Sequence, residues 1–290
     1  QRLDGKGLSS QFDELVHGPS TAQLMDEGWL SKYRAYAPTR PQLDGIHTLA
    51  GDYNVGELDV LMNDNQIVGS LPNHYRKFAD GMKALYFGVS INHSKKIAAI
   101  FNAAGIRATH IDGTSSTEER VNAARALARG EISVISNIQL CGEGFDLSAI
   151  AGTECTIEAV GLARPTKSLT LYLQAVGRAL RPKDQPAVIL DHAGCFFEHG
   201  LPDDERSWSL DGINPNGRKR DTGPPVRQCA QCYAVHRPAP ACPYCGPVYE
   251  IVGREVEEVD GELAEVPLIR GKWTPEQFLA KKEEWSCRTL

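Results

Sequence analysis

Several features that would settle this chain's chemistry at a glance are missing from its 290 residues. It has no GxxxxGK[ST] loop, so it offers no glycine-rich cradle of backbone N–H groups for a triphosphate. No acidic box follows a strand pattern, because Asp13-Glu14 and Asp204-Glu205 lack that context. No apolar run approaches the ~20 residues that cross a bilayer, and no membrane partner is expected. The chain opens on Gln1 without a Met or a charged-then-apolar leader, so a fragment without a targeting segment is expected. There is no internal repeat. Net positive charge is also lacking: 31 Lys and Arg face 37 Asp and Glu, giving −6. That total argues against a polyanionic partner, but the charge is uneven. Arg206, Arg218, Lys219, Arg220, Arg227 and Arg237 share a stretch with only Asp211 and Asp221 for acids, whereas residues 250–265 are acidic.

What remains is an ordinary folded profile, 41% hydrophobic and 23% charged, with length for one large domain or two smaller ones. Residues 1–40 read as the end of a preceding domain and a linker. Within them Ser20 caps a short helix with Gln23 as capping-box partner, Gly28 stops it, and 33–37 is a strand. Residues 55–62 and 71–79 read as helices. From Lys83 the pattern sharpens. A strand over 84–89 precedes a helix capped by Ser94, with Ile97, Ile100, Phe101 and Ala104 on one face and Gly105 as its stop. A strand over 106–111 precedes a helix capped by Thr117, with Glu118 and Glu119 in its first turn and Gly130 at its end. Strands over 132–136 and 156–160, a helix from 168 to about 180, and a strand over 187–191 follow.

This alternation predicts an α/β fold over 41–200, a parallel sheet with helices on both faces. Ligands of such sheets meet the loops at the carboxyl ends of the strands. That places 90–92, 112–113, 136–146 and 174–181 where chemistry is expected. Residues 201–227, rich in Gly, Pro, Asp and Arg, read as a linker, 228–247 as a cysteine module, and 248–290 as a tail with a Thr274-capped helix.

The helix from Ser168 sorts its residues sharply. Leu169, Tyr172, Leu173, Val176 and Leu180 fall on one side. Gln174, Arg178 and Arg181 fall on the other at i, i+4 and i+7, with Gly177 leaving room beside them. Spacing alone fits a solvated basic face as well as a functional one. The run Gln174-Ala175-Val176-Gly177-Arg178-Ala179-Leu180-Arg181, however, resembles motif VI of superfamily-two helicases, QxxGRxxR. The resemblance implies that Arg178 and Arg181 reach ATP on a neighbouring RecA-like domain, with Gln174 and Gly177 close to the nucleotide. Guanidiniums suit this task because their planar fork matches the charge that spreads over a transferring phosphoryl group.

Other stretches resemble the same family in the same order. Cys141-Gly142-Glu143-Gly144-Phe145-Asp146 is similar to motif V, which makes Gly144 and Asp146 nucleotide-side residues. Ser136 stands where relatives carry a Thr on the nucleic-acid backbone. Tyr86-Phe87-Gly88-Val89-Ser90 with His93 is similar to motif IV, and Ile111-Asp112-Gly113 to the segment between IV and V. The resemblance implies that Ser90, His93, Gly113 and Ser136 lie along a nucleic-acid strand. It covers nearly all of residues 1–195, and residues 1–8 resemble the stretch after motif III that closes the first RecA-like domain.

Cys229-x2-Cys232-x9-Cys242-x2-Cys245 pairs two CxxC knuckles. Four thiolates suit a closed tetrahedral Zn²⁺ site of structural type; a redox pair or an iron–sulfur cluster is the alternative. Arg218, Lys219 and Arg220 precede the knuckles, and Arg227, Arg237 and Tyr233 surround them, a composition that can grip phosphates and stack bases or simply clip the fold. Residues 190–247 resemble phage- and prophage-type DEAD/DEAH-box helicases.

Together these readings imply the C-terminal half of an ATP-dependent helicase or translocase, cytoplasmic and of bacterial or phage origin. Its expected partners are DNA, with RNA as a second candidate, and the first RecA-like domain of the same protein. ATP and Mg²⁺ are shared with that domain, and Zn²⁺ is structural. The rivals are a double-strand translocase without unwinding and a nucleic-acid-binding zinc protein with a degenerate motor domain. Because the phosphate loop and acidic box are absent here, the 290-residue chain alone is expected to hydrolyse ATP negligibly. A DNA-stimulated phosphate-release assay checks this, and robust turnover contradicts it.

Overall fold

A computed structural model describes residues 7–63, 65–138, 147–211 and 225–249. In chain order the elements are α1 (Thr21–Asp26), β1 (Tyr33–Tyr36), β2 (Thr48–Leu49), β3 (Asp52–Tyr53), α2 (Val55–Met62), α3 (Asn65–Ala79), β4 (Ala84–Phe87), α4 (Ile91–Ala103), β5 (Ala108–Ile111), α5 (Thr117–Ala128), β6 (Val134–Asn137), α6 (Leu147–Ala151), β7 (Ala159–Leu162), α7 (Leu169–Gly177), β8 (Ala187–Asp191), α8 (Cys195–His199), β9 (Arg227–Gln228) and β10 (Val235–His236). Six strands form one all-parallel sheet in the order β1-β8-β7-β4-β6-β5. The small pairs β2–β3 and β9–β10 are antiparallel.

Strand side chains alternate between two cores, as the two-residue period of a strand requires. Leu85, Phe87, Ile135, Val160, Leu162 and Ile189 meet Ala124, Leu127, Leu147, Tyr172 and Phe196 from α5 to α8 on one face. Ala84, Tyr86, Val134, Ala159, Val188 and Leu190 meet Leu71, Tyr75, Ile97 and Phe101 of α3 and α4 on the other. Strands buried on both faces read as short continuous apolar runs, which is why the sequence exposes them. A smaller cluster of Leu58, Met62 and Val89 seats α2 beside the end of β4.

The fold class, the eight-residue α2 and β8 stand as the sequence reads them. The caps differ by small steps. Ser90, extended at φ −133°, caps α4 by accepting from His93 N, whereas Ser94 is buried inside the first turn. Ser116, not Thr117, caps α5 and completes a capping box with Glu119. Ser20 caps α1 as expected, but the Gln23 amide bonds Glu27 four residues on instead of turning back. Helix α3 starts six residues earlier than predicted and runs through Pro72. Burial of Leu71, Tyr75 and Ala79 on one face outweighs the donor lost at proline. Strand β1, read as part of a preceding linker, pairs with β8 in the same sheet. The predicted helix over 273–285 lies outside the described residues.

Gly161 shows how tightly the sheet is packed. It pairs with Tyr86 across β4 and β7, and a Cβ there would lie 2.2 Å from the Tyr86 ring. Tyr86 is fully buried and cannot yield. Gly161→Ala should therefore destabilise the fold by roughly 3 kcal/mol through overpacking. Thermal unfolding followed by circular dichroism measures this, and an unchanged midpoint contradicts it.

Candidate functional site

A parallel strand needs a return crossover, so α7 leaves the carboxyl edge at its Ser168 cap and runs back toward the amino edge. The α-helix proper ends at Gly177. Residues 178–180 continue in tighter i→i−3 bonds, Arg178 N to Ala175 O, Ala179 N to Val176 O and Leu180 N to Gly177 O. Arg178 and Arg181 thus lie toward the amino ends of the strands, not in the carboxyl-edge loops where they were expected. Ser31, just before β1, accordingly bonds Leu180 O through its N–H and Arg181 O through its hydroxyl at 2.7 Å. Both arginines line one small pocket with Leu85, Leu147, Cys155 and Ile157. Gln174 is exposed on the same helix, and open space surrounds the Cα of exposed Gly177. Gly144 and Asp146 fall outside the described residues, in the stretch that precedes Leu147 of this pocket.

The carboxyl edge gathers the other motif residues. Ser90 Oγ accepts from His93 N at 3.0 Å and donates to Asp59 of α2. His93 itself is buried. Its Nδ1 accepts from Val89 N at 3.1 Å, and desolvation lowers its pKa to about 4, so it stays neutral. Gly113 is exposed, and its carbonyl accepts from Arg120 at 2.8 Å. Ser136 turns inward with no exposed surface: its hydroxyl meets Ser94 Oγ at 2.7 Å. Ser94 Oγ meets His110 Nδ1 at 2.7 Å, and His110 Nε2 meets Asp112 Oδ2 at 2.9 Å.

This relay joins α4, β5 and β6 beneath the edge. Asp112 closes it by accepting from the Thr114 hydroxyl (2.6 Å) and the Thr114 and Ser115 amides (2.7 and 3.1 Å). Those bonds, led by the Thr114 hydroxyl, hold its carboxyl well below the usual range despite burial. Ser90 and Gly113 are therefore presented at the surface, while His93 and Ser136 support them from inside. The sequence reading missed Ser94, His110 and Asp112 as a unit; the only local sign was a His two residues before an Asp at a strand end.

The four cysteines converge. Their sulfurs all lie within 4.8 Å of one another, with Cys229–Cys245 at 3.5 Å and Cys232–Cys242 at 3.7 Å. Zn–S bonds of ~2.3 Å in a tetrahedron place sulfurs ~3.8 Å apart, so the set fits Zn²⁺. The two knuckles repeat one another. Tyr233 N bonds Cys229 O and Gly246 N bonds Cys242 O, at 2.9 and 3.0 Å. Tyr233 and Gly246 both take positive φ, 61° and 83°. Backbone N–H groups of Cys232 and Gln231 pull the Cys229 thiol down to about 6, toward the thiolate a metal needs. His236 takes no part; it bonds the Tyr249 hydroxyl and Arg237 O.

The module is fastened to the sheet. Ala234 bridges Tyr36 antiparallel, Ala37 N donates to Tyr233 O, and the Gln228 amide donates to Ala37 O. Arg237 pairs with Asp203 and Asp204, each at 3.0 Å, and Arg227 stacks 3.6 Å over the Tyr249 ring. These two cations are thus committed within the domain. Arg218, Lys219 and Arg220 lie outside the described residues.

The parallel sheet and the ordered motifs meet a match in sequence. Residues 66–183 match the family described as Helicase conserved C-terminal domain. The matched segment is about two fifths of the chain and takes in β4 to α7 of the parallel sheet. Over 287 residues the chain is 29% identical to a 51.5 kDa protein of Lactococcus phage, which covers 97% of this chain and 61% of that protein. It is 26% identical over 185 residues to IRC3 of Saccharomyces cerevisiae, 62% of this chain and 26% of that one. To UvrABC system protein B of Chlorobaculum tepidum it is 28% identical over 191 residues, 62% and 25%. The chain therefore spans from about a quarter to about three fifths of these relatives' length. Among the described residues no helix is long and apolar enough to cross a membrane.

Because the cysteine module is fastened to the end of β1, an edge strand of the parallel sheet, metal and fold should be linked. Elemental analysis is expected to find about one zinc per chain. Chelation, or Cys242→Ala, should lower the thermal midpoint by several degrees. A metal-free chain that melts unchanged contradicts this.

Proposed function

We propose that the chain is the C-terminal part of an ATP-dependent helicase or translocase that moves on DNA. The observation that carries this reading is the convergence of Arg178 and Arg181 on one pocket at the end of α7. Their shared pocket also holds Leu147, the residue that follows the Gly144–Asp146 stretch. ATP is the substrate, and bound Mg²⁺ supplies charge neutralisation on its phosphates. The phosphate loop and the acidic residues belong to a first RecA-like domain. From this side Arg178 and Arg181 place two fixed guanidiniums against the γ-phosphoryl group as its charge spreads, and Gln174 orients polar groups beside it. Gly177, with no Cβ and open space around it, lets the opposing domain approach closely.

The carboxyl edge supplies part of the track. Ser90 and Gly113 face the nucleic-acid backbone, and the Ser136–Ser94–His110–Asp112 relay keeps their loops in register. Helix α7 spans from that edge to the arginine pair. A change in nucleotide state can therefore be carried along one rigid element. The zinc module acts as a structural clip on β1.

In the full-length protein, Arg178→Ala should lower ATP turnover by roughly a thousandfold or more while ATP binding persists. Steady-state phosphate release and equilibrium nucleotide binding measure the two separately. Unchanged turnover would favour a nucleic-acid-binding zinc protein with a non-catalytic motor domain.

A further inference from the structure

The carboxyl edge also bears a cleft of about 480 Å³ that none of the motif residues lines. Its walls are residues 40–44 after β1, the 165–166 turn after β7, and 193–198 at the end of β8. Two of these walls are fixed by buried carboxylates. Asp52 accepts from the Thr166 hydroxyl at 2.8 Å and from Lys167 N at 2.7 Å. Asp191 accepts from Ala193 N at 2.9 Å and Phe196 N at 2.8 Å. His199 Nε2 meets Thr166 O at 2.8 Å and ties one wall to the other. Burying a carboxylate is unfavourable unless such bonds satisfy it. Two of them, each holding a wall of the same cleft, mean that its shape is specified.

The chemistry inside is flat and slightly acidic. The Arg40 guanidinium lies 4.3 Å from the Phe197 ring centre, and the Lys167 ammonium 4.6 Å from that of Tyr53. Of these two cations only Arg40 stands on the lining, together with the carboxylates of Asp44 and Glu198. A lining with two carboxylates and one guanidinium is a poor phosphate site. Aromatic rings beside cations, with the donors and acceptors of a carboxamide at Gln42, suit a flat, uncharged, hydrogen-bonding heterocycle. The volume is that of an ordinary small-ligand site.

We propose that this cleft receives an unstacked nucleobase from the single strand that passes over the carboxyl edge. The Arg40 guanidinium, backed by the Phe197 ring, and the Tyr53 ring supply the stacking surface, and Gln42 meets the polar rim of the base. The inference rests on the nucleic-acid reading above and extends it from the sugar–phosphate backbone to the bases.

The test uses the 290-residue chain, a fluorescein-labelled single-stranded DNA, and a matched strand whose central nucleotides are abasic. Fluorescence anisotropy gives both affinities. The parent should bind the abasic strand about tenfold more weakly. Phe197→Ala, Arg40→Ala and Gln42→Ala should each weaken binding of the base-bearing strand by up to about tenfold and leave the abasic strand unchanged. Arg40 and Gln42 are exposed, so those two variants keep the test sound if Phe197→Ala unfolds, which a thermal melt reveals. Variants that match the parent on both strands, or that lose both equally, overturn the base site while leaving the nucleic-acid reading in place. A parent that binds neither strand overturns that reading and this inference with it.

Discussion

The parallel pairing of six strands governs everything else in this domain. Each strand must start again at the amino edge, so each connection crosses the full height of the sheet. Loops that leave the strands collect at one edge, and helix ends collect near the other. The relay of Ser136, Ser94, His110 and Asp112 belongs to the first group. The pocket of Arg178 and Arg181 belongs to the second, next to the residues that lead into β1. A single crossover, α7, therefore connects two distinct chemical surfaces.

Much of this was legible in the residues. Strands buried on both faces announce themselves as short runs such as Ala84–Phe87 and Ala187–Asp191, and glycines at positive φ such as Gly105 and Gly130 mark where helices stop. Cysteine spacing led directly to a set of sulfurs at metal distance. What sequence could not show was direction. An i, i+4, i+7 stripe says that three side chains share a helix face, not which edge of the sheet that face approaches. Nor does a serine at a strand end say whether its hydroxyl points out or in. Ser136 points in because α4 packs against β6 and brings Ser94 within 2.7 Å. Cap positions slipped for a related reason: two serines or a serine and a threonine stood close together, and backbone conformation chose between them.

The cleft at the ends of β1, β7 and β8 was invisible for a deeper reason. Its walls come from three stretches far apart in the chain, and the carboxylates that hold them look like ordinary surface acids in sequence. Asp52 sits in a two-strand hairpin and reaches residues 166 and 167, more than a hundred positions away. Only the folded chain puts these groups together.

Strand β1 has a further consequence. Its neighbour in the sheet, β8, and its clasp, the bridge from Tyr36 to Ala234, are contributed by residues about 150 and 200 positions later. This short strand therefore has no partner until most of the domain has been made. Closure at such sequence distance is slow compared with local helix formation. Among the described residues the last stretch translated thus seals the earliest strand, so completion of this edge is a late step in folding.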